Sequence, residues 1–118
     1  MRIFIGIVLW VSMLSGVFAQ KSSKASKSTE ETTFEVWGNC NMCKKTIETA
    51  ARIPGVRSAV WNKNTHKMVV KYQPEKTDPK KVQQAIAKSG YDTELFYADD
   101  ESYKNLHSCC QYKRKPKE

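Results

Sequence analysis

From residue 33 the chain alternates polar and apolar positions. Thr33, Phe34, Glu35, Val36 and Trp37 mix β-branched and aromatic types at period two, which predicts a strand over 33–37. Gly38-Asn39 breaks the alternation. Over 42–53 the pattern turns helical, with Cys43, Ile47, Ala50 and Ala51 on one face. Pro54-Gly55 ends that helix. A second strand is expected over 56–61, a turn over 62–65, and a third strand over 67–72 with Met68, Val70 and Tyr72 on one face. Asp78 can cap a second helix that has Pro79 at its first position. Val82, Ala85, Ile86 and Ser89 mark its inner face, and Gly90 closes it. Residues 93–98 read as a fourth strand. The order βαββαβ predicts an α+β, ferredoxin-like fold: one four-stranded antiparallel sheet with both helices on one face. Trp37, Trp61 and Tyr72 are expected in its core, which is small for a chain of this length. A short extra helix is expected within 99–110, capped by Asp99 or Asp100.

The flanks of this domain read differently. Arg2 precedes an apolar run over 3–11, and Val17-Phe18-Ala19 offers the small residues of a cleavage site before Gln20. Residues 1–19 are therefore expected to be a signal peptide, since the run is shorter than the twenty or so residues of a membrane span. No stable span is expected after cleavage, and the mature protein is expected to be periplasmic or secreted. Residues 20–31 are rich in Ser, Lys and Thr with a single Ala, and are expected to form a flexible linker. The domain is then expected over 32–98, with an extension over 99–118.

The 118-residue chain has a formal charge of +8. The excess sits in the linker and in Lys113, Arg114, Lys115 and Lys117, which read as a solvated tail. No basic surface interleaved with aromatic residues stands out, so a nucleic-acid partner is not expected.

The four cysteines, all in the mature part, carry the chemistry. Cys40 falls in the loop after the first strand and Cys43 in the first turn of the first helix. Unpaired N–H groups at a helix start favour thiolate over thiol. Two thiolates at this spacing converge on one soft cation, and two sulfurs suit Cu(I), whereas Zn(II) needs two more ligands. In the extension, His107, Cys109 and Cys110 form a second group. A six-residue strand carries the chain about 20 Å from the Cys40 loop. A helix from 100 to 109 returns it by about 15 Å. The tail can thus add ligands, accept the metal in transfer, or pair with Cys40 or Cys43 in disulfides. His66 reads as a solvated turn residue, and Lys44 and Lys45 as a helix face that is either solvated or steers acidic partners.

The run from Gly38 through Cys40-Asn41-Met42-Cys43 to Glu48, followed by Ile53-Pro54-Gly55-Val56, resembles the heavy-metal-associated domain family. Val70-Lys71-Tyr72 and the run from Ile86 to Tyr91 extend the resemblance over residues 33–97. The family includes copper chaperones, metal-binding domains of copper-transporting ATPases and a periplasmic mercury-binding protein. The resemblance implies metal ligation by Cys40 and Cys43, with Tyr91 close to the metal. Its cargo would be Cu(I), with Zn(II) or Hg(II) as alternatives. Its partner would be a metal donor or acceptor, such as a transporter or efflux component. One departure is that the family's Met two residues before the first Cys is Gly38 here. Met42, between the cysteines, is either an exposed soft group or a loop-packing residue.

The expected function is therefore non-enzymatic: an exported protein that binds Cu(I) and hands it on. Two alternatives are a thiol–disulfide oxidoreductase using the CxxC pair and a docking domain held by two disulfides.

Overall fold

The computed structural model describes residues 28–117. The expected signal peptide and most of the linker lie outside the described residues. No helix among the described residues is long and apolar enough to cross a membrane.

Strand β1 (Glu30–Glu35), helix α1 (Asn41–Ala51), strands β2 (Val56–Trp61) and β3 (Lys67–Tyr72), and helix α2 (Pro79–Lys88) follow the expected order. The sheet is antiparallel with β3 at its centre, in the order β1-β3-β2. β1 begins at Glu30, inside the stretch expected to be linker, because Glu30 and Glu31 pair with Tyr72 and Lys71. The register lines up Phe34, Met68 and Trp61 across the strands, and Thr32, Val70 and Ala59 beside them. The apolar members of both rows are buried. They meet Cys43, Ile47 and Ala51 of α1 and Val82 and Ile86 of α2 in one core. α2 starts as its sequence dictates: the Asp78 carboxylate accepts the Lys81 backbone N–H at 2.9 Å, with Pro79 following. Trp61 and Tyr72 lie in the core, but Trp37 is only partly buried against it.

The fourth strand does not form. Val36 and Thr93 make a single bridge. Around it, the Trp37 N–H reaches the Asp92 carbonyl at 2.9 Å, and the Glu94 N–H reaches the Glu35 carbonyl at 3.0 Å. The chain then folds on itself. The Thr93 N–H donates to the Phe96 carbonyl at 2.7 Å, and the Phe96 N–H donates to Thr93 Oγ1 at 3.1 Å. The Ala98 N–H donates to the Asp92 carboxylate at 2.7 Å. These local bonds satisfy backbone groups that a fourth strand would have offered to β1. The sheet therefore has three strands, and residues 92–98 form an arch at its edge.

The extension is also built differently from the single helix expected. Helix α3 (Asp100–Lys104) is capped by Asp99, whose carboxylate accepts the Ser102 N–H at 3.4 Å. A turn follows, and then a single 3₁₀ turn, Ser108–Cys110. The extension packs against the domain at Gly90, whose φ of 111° suits glycine and whose missing side chain leaves room for Leu106 and the Ser102 carbonyl.

Candidate metal centre

Cys40 is the N-cap of α1, with extended backbone (φ −142°) and no side-chain cap. Its thiol is therefore free to point at Cys43, one turn along. The two sulfurs are 3.3 Å apart. Cys43 also donates to Asn39 Oδ1 at 3.2 Å, which ties the loop to the helix. The third sulfur comes from the far end of the chain: Cys110 Sγ lies 3.7 Å from Cys40 Sγ. All three sulfurs lie within 4.8 Å of one another. A trigonal set of thiolates about 2.3 Å from a metal has edges of about 4 Å, and the 3.3 and 3.7 Å separations fall a little inside that value. No His, Asp or Glu joins the three among the described residues.

The site is deep and its protons are unevenly held. Cys43 and Cys110 are buried, and Cys40 is partly so. Burial opposes ionisation of Cys40. The Cys43 backbone N–H, the Cys43 and Cys110 thiols and the Met42 backbone N–H outweigh it and bring its pKa down to about 7. Burial pushes Cys110 up to about 12, reinforced by Cys43 and Cys40 and only partly offset by the Tyr91 hydroxyl. Tyr91 is fully buried, and its hydroxyl lies against the Cys110 and Cys43 sulfurs. Burial raises its pKa, and the two neighbouring thiols add to the effect. It is thus a neutral donor facing the sulfurs.

A clamp invisible in the spacing of motifs holds Cys110 in place. The Tyr112 hydroxyl donates to the Gly90 carbonyl at 2.9 Å and accepts the Asp92 N–H at 2.8 Å. Its ring stacks on Tyr91 and meets Tyr103 edge-on. Asp92 is fully buried and accepts two bonds from Arg114, at 2.6 and 2.9 Å, and one from the Lys115 N–H at 3.0 Å. Lys115 Nζ reaches the Thr93 carbonyl at 2.6 Å and lies 4.1 Å from the Tyr97 ring centroid. The basic tail expected to be solvated is therefore partly structural. The available signal was Asp92 itself, an acidic residue between a helix end and an apolar stretch.

The other candidates divide. His107 is exposed at the start of the 3₁₀ turn and is not among the three clustered residues. Cys109 is exposed and stays outside the three-sulfur group, with its sulfur 3.9 Å from Met42 Sδ. Met42 is 47% exposed, so it is not a loop-packing residue. His66 stacks on Trp61 at 5.9 Å rather than standing free in solvent. Lys44 is committed to structure, binding Glu48 at 2.6 Å and the Trp61 carbonyl at 2.7 Å.

The heavy-metal-associated domain model matches residues 39–92. Among solved structures, a CopZ metallochaperone is 32% identical, with a TM-score of 0.52 over 54% of this chain and 98% of its own. The chain belongs to the heavy-metal-associated domain family. A second neighbour is the N-terminal domain of a potential copper-translocating P-type ATPase from Bacillus subtilis, solved in its Cu(I)-loaded state. It is 30% identical, with a TM-score of 0.54 over 58% of this chain and 88% of its own. Oxidized MerP from Ralstonia metallidurans CH34 is 29% identical, with a TM-score of 0.53 over 57% and 96%. Comparison with curated proteins gives no significant match. Within this heavy-metal-associated domain, Gly38 has a physical reason. A side chain there would meet the buried Trp61 ring at 2.9 Å and Ile47 at 3.0 Å. Trp61, anchored by its Nε1–H to the Val36 carbonyl at 3.0 Å, fills the space beneath the metal loop.

Proposed function

We propose that this domain binds Cu(I) through Cys40, Cys43 and Cys110 outside the cytoplasm and passes it to a partner protein by exchange of thiolate ligands. The observation that carries this reading is the convergence of three sulfurs from opposite ends of the domain. Three soft ligands, two of them buried, favour Cu(I) or Hg(II) over Zn(II), which takes a fourth ligand. The copper-related neighbours favour Cu(I) as cargo. The reading of residues 1–19 as a signal peptide supports export, and the partner would be a transporter or efflux component.

Anaerobic Cu(I) titration of the reduced protein against a chromophoric chelator tests the site. One tight equivalent is expected, abolished by the C40S/C43S pair and weakened at least tenfold by C110S. A Zn(II) site with no preference for Cu(I) overturns the copper reading. Insulin reduction tests the oxidoreductase alternative, and no turnover is expected.

A further inference from the structure

The three-cysteine site leaves two sulfurs unexplained. Cys109 Sγ lies 3.9 Å from Met42 Sδ and 3.9 Å from Cys110 Sγ. Neighbouring residues in an extended chain point their side chains apart. The 3₁₀ turn Ser108–Cys110 instead brings both thiols within reach of each other. Met42 comes from the first turn of α1, between the two inner cysteines. Packing does not account for this group, because Met42 and Cys109 are both exposed and bury little apolar surface.

The separations have chemical meaning. Two sulfurs sharing one ion at about 2.3 Å lie about 4 Å apart in a trigonal arrangement. Both 3.9 Å separations meet that value. A thiol and a thioether together suit Cu(I), the softest of the common biological cations. Cys110 belongs to both groups: it completes the buried set with Cys40 and touches the outer pair through Cys109.

We infer that Met42 and Cys109 form a second, surface station for Cu(I), joined to the buried site through Cys110. This inference rests on the Cu(I) reading of the buried site. An ion arriving from solvent or from a donor protein binds first to Met42 and Cys109. Cys110 then bonds to it while Met42 leaves, and Cys40 and Cys43 bond as Cys109 leaves. Each sulfur arrives before another departs, so the ion keeps soft ligands throughout. Copper remains Cu(I) at every step. Each thiol that binds gives its proton to solvent and recovers one when the metal moves on. Release to an acceptor runs the same sequence backwards, with the acceptor's ligands replacing Met42.

The test compares the protein with its M42L/C109S variant. Both changes are at exposed positions and leave the core and the inner cysteines in place. In an anaerobic Cu(I) titration, the unsubstituted protein is expected to take a second, weaker equivalent that the variant lacks. The variant keeps the tight equivalent at unchanged affinity. In stopped-flow mixing with a chromophoric Cu(I) complex, the variant is expected to load the tight site at least fivefold more slowly. A variant that titrates and loads like the unsubstituted protein overturns the surface station alone. Absence of the tight equivalent from both proteins overturns the three-cysteine reading on which it rests.

Discussion

Cys40 and Cys110 offer the same atom to the same site but hold their protons differently. Near neutrality Cys40 is poised between thiol and thiolate, and Cys110 stays a thiol. Three thiolates this close together would repel one another strongly, so Cys110 keeps its proton until a cation arrives. Because thiolate is the nucleophile, reaction of Cys40 in the reduced, metal-free protein with iodoacetamide should rise with pH and reach half its maximum near pH 7. Cys110 should react only after unfolding. Peptide mass mapping across a pH series checks both expectations, and a Cys40 that reacts only above pH 8.5 contradicts the first. The reactive character of Cys40 was legible in the sequence, from its place at the start of a helix. The opposite character of Cys110 was not, because it arises from burial and from Cys43 and Cys40, which tertiary packing places beside it.

At the scale of elements, the strands and helices that follow simple periodicity were legible. Asp78-Pro79 and Gly90 delimit α2, and Met68, Val70 and Tyr72 face inward from β3 as their alternation dictates. The arch over 92–98 was not legible, because Thr-Glu-Leu-Phe-Tyr-Ala has the composition of a strand. Its course is decided by Asp92 and Thr93, whose side chains capture backbone N–H groups within the arch. Asp92 ties the arch to the tail. Burial opposes its charge, but Arg114 and the Ala98 and Lys115 N–H groups hold its carboxyl below the usual range. A carboxyl depressed in the folded state adds stability above its unfolded pKa of about 3.9, and that stability is lost as pH falls through the folded value. Asp92→Asn should therefore cost about 3 kcal/mol at neutral pH, since it removes the buried carboxylate and leaves the largely buried Arg114 only the exposed Asp100 as a charged partner. It should also weaken Cu(I) binding without touching any sulfur, because it loosens the segment that carries Cys110. Denaturant melts between pH 3 and pH 7 check the expectation: the variant should lose less stability on acidification than the parent.

At the largest scale, the described residues form a small sheet-and-helix domain closed by its extension. Residues 28–117 bury one core, and Cys110 and Tyr112 belong to it. The extension is thus part of the folded unit. The sequence pointed to the two-cysteine loop and to the possible return of the tail. It did not show which tail residue would arrive, because that depends on the short α3 and the 3₁₀ turn. Ligand binding to the folded state alone raises its stability by RT ln(1 + [L]/Kd), or about 4 kcal/mol at a thousandfold excess over Kd. Cu(I) should accordingly raise the melting temperature by several degrees, and C110S should halve that rise or more. Calorimetry of the reduced protein with and without one equivalent checks this, and an equal rise in both proteins contradicts it.

The separation of 70 positions between Cys40 and Cys110 gives the site one more property. An ion held by both ends closes a large loop, so it acts as a reversible cross-link as well as a cargo. Its departure restores the loop-closure entropy that a long cross-link withholds from the open chain. Empty molecules would then open more often and be cut sooner by proteases than full ones. The lifetime of the protein would then follow metal supply without any dedicated regulator.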